Sequence, residues 1–276
     1  MKFLASGKVK DIYDLDDGNL LFLFSDRVSA YDVKFHEEIP RKGEVLCKFA
    51  EFWFNELDFE NHFVRTESKT GIIVKKMKML PIECVVRGYF YGSLVSRWKN
   101  NEISLPDNSN TALAAKLPKP IFDPTTKSTH DIAIDKNGAL EMGLVSNEEF
   151  DWLSNTSIKI YEKMTSIANN AGFILADLKL EFGKLDDKLI LGDSIGPDEY
   201  RLWPKDLYSV GKTQEAYDKQ LLRDWLTENG YQQKFDESRA KNQEPIAPSI
   251  PQGLIKKITD RYIIAYERFS KKSLSP

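Results

Sequence analysis

The sequence predicts an α+β fold built on antiparallel sheets, and three observations carry that reading. Hairpin patterns dominate the first part of the chain, helical periodicity dominates the last part, and a content of 41% apolar and 12% aromatic residues suffices for a substantial core. A doubly wound parallel sheet would need strands and helices in alternation.

Residues 8 to 13 and 20 to 25 read as two strands joined by the turn Asp16-Asp17-Gly18-Asn19, an antiparallel hairpin. From Gly43 to Leu57, Val45, Leu46, Phe49, Phe52 and Trp53 recur at helical spacing, which predicts an amphipathic helix with its aromatic side inward. Strands resume near Phe63, from Ile72 to Met77 and from Glu83 to Tyr91. Pro, Asn, Asp and Ser crowd residues 99 to 127 with weak periodicity, so this stretch is expected to be long surface loops without a helix. Ser146 with Glu149 three residues on makes a capping box, opening a helix that runs to about Ala171 and stops at Gly172. Two more helices are expected over residues 213–228 and 253–270, joined by a polar connector holding Pro245, Pro248 and Pro251. A division into residues 1–82, an antiparallel β domain, and 83–276, a larger α+β domain, follows this pattern.

Charge and composition remove several function classes. Thirty-nine Lys and Arg against 42 Asp and Glu leave a net −3, which offers no general attraction to nucleic acid. Cys47 and Cys84 are too few for a disulfide framework, and with His36, His62 and His130 they form no zinc-like spacing. Charge at Lys2 and Lys8 interrupts any signal-peptide core, and no apolar run reaches bilayer length. A cytoplasmic protein with no membrane or nucleic-acid partner is expected; the sequence sets no oligomeric state.

Three windows carry candidate chemistry. In Leu175-Ala176-Asp177-Leu178-Lys179-Leu180-Glu181-Phe182-Gly183, strand alternation sends Ala176, Leu178, Leu180 and Phe182 to one face and Asp177, Lys179 and Glu181 to the other. Residues 184–188 then turn and residues 189–193 return. A hairpin symmetric about Asp187 would set Glu181 opposite Asp193, with Cβ atoms about 4.5–5.5 Å apart. Like charges so close repel unless a cation joins them, and Mg²⁺ suits such a pair while keeping nucleotide phosphates in its other positions. The alternative is an exposed charged face on an edge hairpin.

In Gly7-Lys8-Val9-Lys10-Asp11-Ile12-Tyr13, Lys8 and Lys10 fall two apart on a strand beside a glycine, which suits a grip on phosphate; lysines guarding an edge strand are the alternative. No Walker A loop supports the phosphate reading, because Gly211-Lys212-Thr213 lacks the required earlier glycine and has Asp206 instead. In residues 79–93, Arg87 inside a β-forming run must find an anion or carbonyl if buried, and Gly92-Ser93 adds close-approach backbone and a hydroxyl. That anion is either a ligand phosphate or carboxylate, or a structural partner such as Glu83.

The residues Pro81-Ile82-Glu83-Cys84-Val85-Val86-Arg87 with Gly92-Ser93, together with Ala176-Asp177-Leu178-Lys179-Leu180-Glu181-Phe182-Gly183, resemble the paired signatures of the SAICAR synthetases. The likeness continues in residues 7–13, 25–32, 201–203 and 217–226. It implies an ATP-grasp-like or kinase-like fold with a nucleotide cleft between an N-terminal antiparallel domain and a larger α+β domain.

By that resemblance, Lys8 and Lys10 contact ATP phosphates, and the backbone around Lys75 and Met77 holds the adenine. Glu181 and Asp193 bind Mg²⁺, and Glu181 also borders the ATP. Arg87, Ser93, Lys179 and Arg201 hold the ribotide, with Asp177 hydrogen-bonding the substrate, so that Lys179, Asp177 and Arg201 form the catalytic set. Ser29 and Asp32 border the reacting groups. Longer family members carry a Glu/Gly-rich stretch before His-Asp, whereas here Ser128-Thr129 lead directly to His130-Asp131. This departure bears on the aspartate-side roles of Lys127 and Asp131.

The implied reaction joins carboxyaminoimidazole ribotide to L-aspartate with ATP, through an acyl phosphate. A small-molecule kinase or a non-catalytic nucleotide-binding protein would use the same cleft.

Overall fold

A computed structural model describes residues 1–128 and 131–274. The chain opens with five strands, Lys2–Ser6 (β1), Lys10–Asp14 (β2), Asn19–Phe24 (β3), Arg27–Ala30 (β4) and Val33–Glu38 (β5), and then the helix Lys42–Glu56 (α1). Strands Phe63–Ser68 (β6), Gly71–Lys75 (β7) and Lys78–Tyr89 (β8) follow. After the short helix Ser93–Lys99 (α2) come Lys116–Phe122 (β9), Thr125–Thr126 (β10), the helix Lys136–Glu141 (α3) and the long helix Asn147–Asn170 (α4). Strands Phe173–Leu185 (β11), Lys188–Leu191 (β12) and Tyr200–Pro204 (β13) precede helices Gln220–Glu228 (α5), Tyr231–Ala240 (α6) and Gln252–Ser270 (α7).

Two antiparallel sheets organise these elements. The first has the order β1-β2-β3-β7-β6. The second is centred on β11, which pairs with β8 on one side and with β12 and β13 on the other, while β9 and β10 pair with β8. β4 and β5 form a separate hairpin that turns at Tyr31 and Asp32, both in left-handed backbone. The first sheet ends at Lys75 and the second begins at Lys78, whereas residues 82 and 83 are neighbours inside β8.

The core follows from the periodicities. Val45, Leu46, Phe49 and Trp53 of α1 are buried, and Phe49 and Trp53 meet Tyr200 and Phe269 edge-on. α4 begins at the Ser146–Glu149 capping box, both of whose bonds form, and ends before Gly172 at φ 81°. Its Phe150, Leu153, Ile160 and Met164 pack behind β8 and β11.

Several expectations require correction. Residues 99 to 127 are not all loop: β9 lies there despite Pro118 and Pro120, which an edge strand tolerates because the missing N–H groups owe nothing to a second neighbour. The helix expected from Thr213 begins at Gln220, because Gln214 is buried and spends its side chain on backbone groups of Ser209 and Lys212. α2, α3 and α6 had no sequence signal strong enough to be read; α6 is almost wholly polar, with only Phe235 buried.

Candidate active site

The front of β11 carries a graded charge pattern in three rows. Cross-strand partners share a face of a sheet, and the register sets Arg87, Asp177 and Arg201 in one row. The next row has Val85 beside Lys179, whose N–H donates to Glu199 O at 2.8 Å. The third sets Glu83 beside Glu181, with Gly192 N–H donating to Glu181 O at 2.9 Å. One end of the stripe is thus rich in guanidinium groups and the other in carboxylates, about 13 Å away at roughly 3.3 Å per residue.

At the arginine end, Arg87 is buried and its Nε donates to Asp123 Oδ2 at 2.5 Å, with Nη2 donating to Ser93 Oγ at 3.1 Å. Arg97 donates to the other oxygen of Asp123 at 2.6 Å. The structural partner of Arg87 is therefore Asp123 and not Glu83, because Glu83 sits two rows away. Arg201 pairs with Asp177, and its guanidinium lies over the Tyr91 ring at 5.8 Å. Gly92, at φ 62°, lets it do so: a Cβ there would stand 2.7 Å from Arg201 Nη2.

In the middle, Lys179 Nζ lies 3.0 Å from Glu83, 3.0 Å from Glu199 and 3.3 Å from Glu181. Burial works against its charge, but Glu199, Glu181 and Glu83 together hold its pKa well above the ordinary lysine value.

At the acidic end, Glu181 is buried and pairs with Lys127 and Lys179. Burial and the charge of Asp193 push its carboxyl upward, and the two lysines oppose that. Asp193 is also desolvated, yet Lys10, Lys179 and Lys127 hold it well below the usual carboxylate range. Lys10 crosses from the first sheet to reach Asp193 Oδ1 at 2.5 Å and Ser194 Oγ at 3.1 Å. His62 binds Asp193 O at 2.8 Å and helps hold that residue in left-handed backbone, φ 54°.

Two of the expected geometries are corrected here. Glu181 lies opposite Gly192, with Asp193 one step further, because the β11–β12 turn has two left-handed residues, Asp186 and Asp187, and its centre falls between them. The two carboxylates still interact, across a loop rather than across a ladder. Lys8 precedes β2 instead of sharing it with Lys10; it is exposed and pairs with Asp32 at 2.5 Å.

Ser29 on β4 is buried opposite Lys34 of β5, and among the described residues its Oγ has no hydrogen-bond partner. Lys75 closes β7 with its side chain exposed. Met77 packs on a shelf made by Gly183 and Gly192, so the linker between the sheets runs beside Asp193. Asp131 is exposed, while Thr129 and His130 lie outside the described residues.

Sequence reasoning missed Glu83 as a member of the acidic end, and also Asp123, Arg97, Glu199 and Gln220. Glu199 had a signal, since it lies two residues before Arg201 and strand spacing extended backwards would point it the same way; Asp123 had none. Among the described residues no group of three or more Asp, Glu, His or Cys is placed to hold an ion. Glu181 and Asp193 make a two-carboxylate set, in a cluster where, among the described residues, the four acids Glu83, Glu181, Asp193 and Glu199 pair with the three lysines Lys10, Lys127 and Lys179.

A family model described as SAICAR synthetase matches residues 3–238. The chain belongs to the SAICAR synthetase family. It is 71% identical over 274 residues to a phosphoribosylaminoimidazole-succinocarboxamide synthase of Nitrosopumilus maritimus, covering 99% of this chain and all of the relative. The corresponding enzyme of Corynebacterium glutamicum is 38% identical, over 98% of this chain and 93% of its own. A SAICAR synthase of Saccharomyces cerevisiae, solved with SAICAR, superposes with a TM-score of 0.83 at 33% identity, covering 99% and 96% of the two chains. A SAICAR synthetase solved with ADP gives 0.74 at 25% identity, covering 99% of each. This SAICAR synthetase family member is an amide-forming ligase of purine biosynthesis, and its α+β architecture is the family's.

Proposed function

We propose that the charge stripe on β11 is the active site for ATP-dependent condensation of carboxyaminoimidazole ribotide with L-aspartate. The grading of the stripe is the observation that carries this reading. Arginines at one end suit the phosphate of the ribotide, and carboxylates at the other suit a cation bound to nucleotide phosphates.

Arg87, Ser93 and Arg201 hold the ribotide phosphate, Asp177 hydrogen-bonds the substrate while fixing Arg201, and Lys179 faces the carboxylate that reacts. Lys8 and Lys10 neutralise ATP phosphates, and the backbone of residues 75–77 borders the adenine. Ser29 and Asp32 flank the reacting groups; Lys127 and Asp131 serve the aspartate side.

A carboxylate resists attack until one oxygen becomes a good leaving group. The γ-phosphoryl group of ATP passes to that oxygen, the amine of aspartate attacks the acyl carbon, and inorganic phosphate departs. The protein's task is positioning and charge neutralisation, with no covalent nucleophile of its own. Glu181 and Asp193 fit Mg²⁺, since the described residues of the cluster hold one more acid than lysines and two carboxylates leave room for phosphate oxygens and water. Bound there, Mg²⁺ would neutralise charge on the phosphates.

We read the molecule as two domains joined at Lys76–Met77, where one sheet hands over to the other, rather than at residues 82 and 83. We place it in the cytoplasm: Cys47 and Cys84 are buried free thiols, burial pushes Cys47 up to about 12, and no described helix is long and apolar enough to cross a membrane.

Release of ADP from ATP, measured with carboxyaminoimidazole ribotide in the presence and absence of L-aspartate, tests the proposal. Aspartate-dependent ADP release with one succinocarboxamide formed per ADP is expected. ADP release with the ribotide alone, and no amide product, would replace the ligase with a kinase.

A further inference from the structure

The segment Tyr217-Asp218-Lys219-Gln220 carries part of the family resemblance and lies outside the charge stripe on β11. Its side chains form a closed circuit around Arg201. Asp218 is buried, and its Oδ2 accepts the N–H of Leu202, the residue after Arg201, at 2.6 Å. Its Oδ1 accepts the N–H of Gln220, also at 2.6 Å. Gln220 Oε1 in turn accepts Arg201 Nε at 3.2 Å. The other end of the same amide, Nε2, donates to Asp224 Oδ1 at 2.7 Å.

Each link does something specific. One carboxylate bridging two backbone N–H groups fixes the distance between β13 and the start of α5. Asp224 accepts a hydrogen bond, so it selects the amino end of the Gln220 amide and leaves the oxygen for the guanidinium. Arg201 Nε is thereby committed to Gln220 and Nη1 to Asp177, with Tyr91 beneath the plane. A planar guanidinium held at Nε and Nη1 cannot rotate about its long axis, so the direction of Nη2, beside Gly92, is set.

We propose that Asp218, Gln220 and Asp224 are positioning residues that orient Arg201 for the ribotide. The inference rests on the reading of Arg201 as a ribotide ligand, and the test separates the two. Ribotide affinity is measured by calorimetry with carboxyaminoimidazole ribotide, and steady-state constants with all three substrates, for Arg201→Leu, Gln220→Leu, Gln220→Glu and Gln220→Glu/Asp224→Asn.

Gln220→Leu should weaken ribotide binding about tenfold and raise its KM to match, with the KM for ATP within about twofold, the size expected for one hydrogen bond to a charged group. Gln220→Glu sets a carboxylate against Asp224 and should also bind weakly. Adding Asp224→Asn restores a donor to that contact and should recover affinity to within about threefold of the parent, a rescue that a purely structural role does not produce. If Arg201→Leu leaves ribotide affinity unchanged, the assignment of Arg201 falls and the proposal with it. If Arg201→Leu weakens binding while Gln220→Leu does not, or the double variant shows no rescue, the positioning role alone is overturned. Should Gln220→Leu fail to fold, the comparison of Gln220→Glu with the double variant decides.

Discussion

His62 gives this fold a measurable sensitivity to acid. It is buried against Phe22 and Phe54, and burial lowers its pKa from 6.5 to about 4 despite the favourable contact with Asp193. A histidine depressed in this way binds fewer protons folded than unfolded between those two values. Its contribution to stability is fully present above 6.5 and is lost as pH falls toward 4. A gap of about 2.5 units corresponds to about 3 kcal/mol in total, of which about 2 kcal/mol disappears between pH 7.5 and pH 5. Urea unfolding followed by tryptophan fluorescence at these two pH values reads that loss. His62→Gln keeps a donor for Asp193 O but does not titrate, so its stability should fall by about 2 kcal/mol less than the parent's over the same interval. Equal losses in the two proteins would refute the reasoning, because the carboxylates common to both cancel in the comparison.

Three other outcomes follow from the same geometry. Glu181→Gln should depress kcat by about a hundredfold with ribotide affinity little changed, and EDTA should abolish turnover in the parent until Mg²⁺ is restored; undiminished kcat in the variant counts against a role at the metal. Arg87→Leu should weaken ribotide binding about tenfold or more, seen by calorimetry, since it also leaves Asp123 with Arg97 alone. Gly88→Ala should destabilise by about 1–3 kcal/mol, because its Cβ would press on the Tyr161 hydroxyl and stand 2.7 Å from Cζ; adding Tyr161→Phe should recover part of that loss in urea unfolding.

Much of the candidate site's charge arrangement could be read from residue order because side chains alternate between the faces of a strand. Asp177, Lys179 and Glu181 had to share a face, and the buried runs behind them said which face was the front. What residue order could not supply was the pairing between strands. Glu83 entered the acidic end only through the register of β8 on β11, and Asp123 reached Arg87 only through the path of β9. The half-residue displacement of the β11–β12 turn had the same origin: Asp186 and Asp187 both accept left-handed backbone, and nothing in their identity distinguishes a two-residue loop from one centred on Asp187. The helix at Gln220 was placed too early because apolar spacing does not record that Gln214 is occupied elsewhere.

That every row of the stripe rides on a single strand has an evolutionary corollary. A slip of β11 by one residue against β8 would turn Asp177, Lys179 and Glu181 toward α4 and bring Leu178 and Leu180 to the surface. If the stripe is the active site, an insertion or deletion that a bulge such as those near Asp177 and Glu181 does not absorb should cost activity and stability together, leaving adaptation of substrate preference to point changes and to the loops that surround the strand.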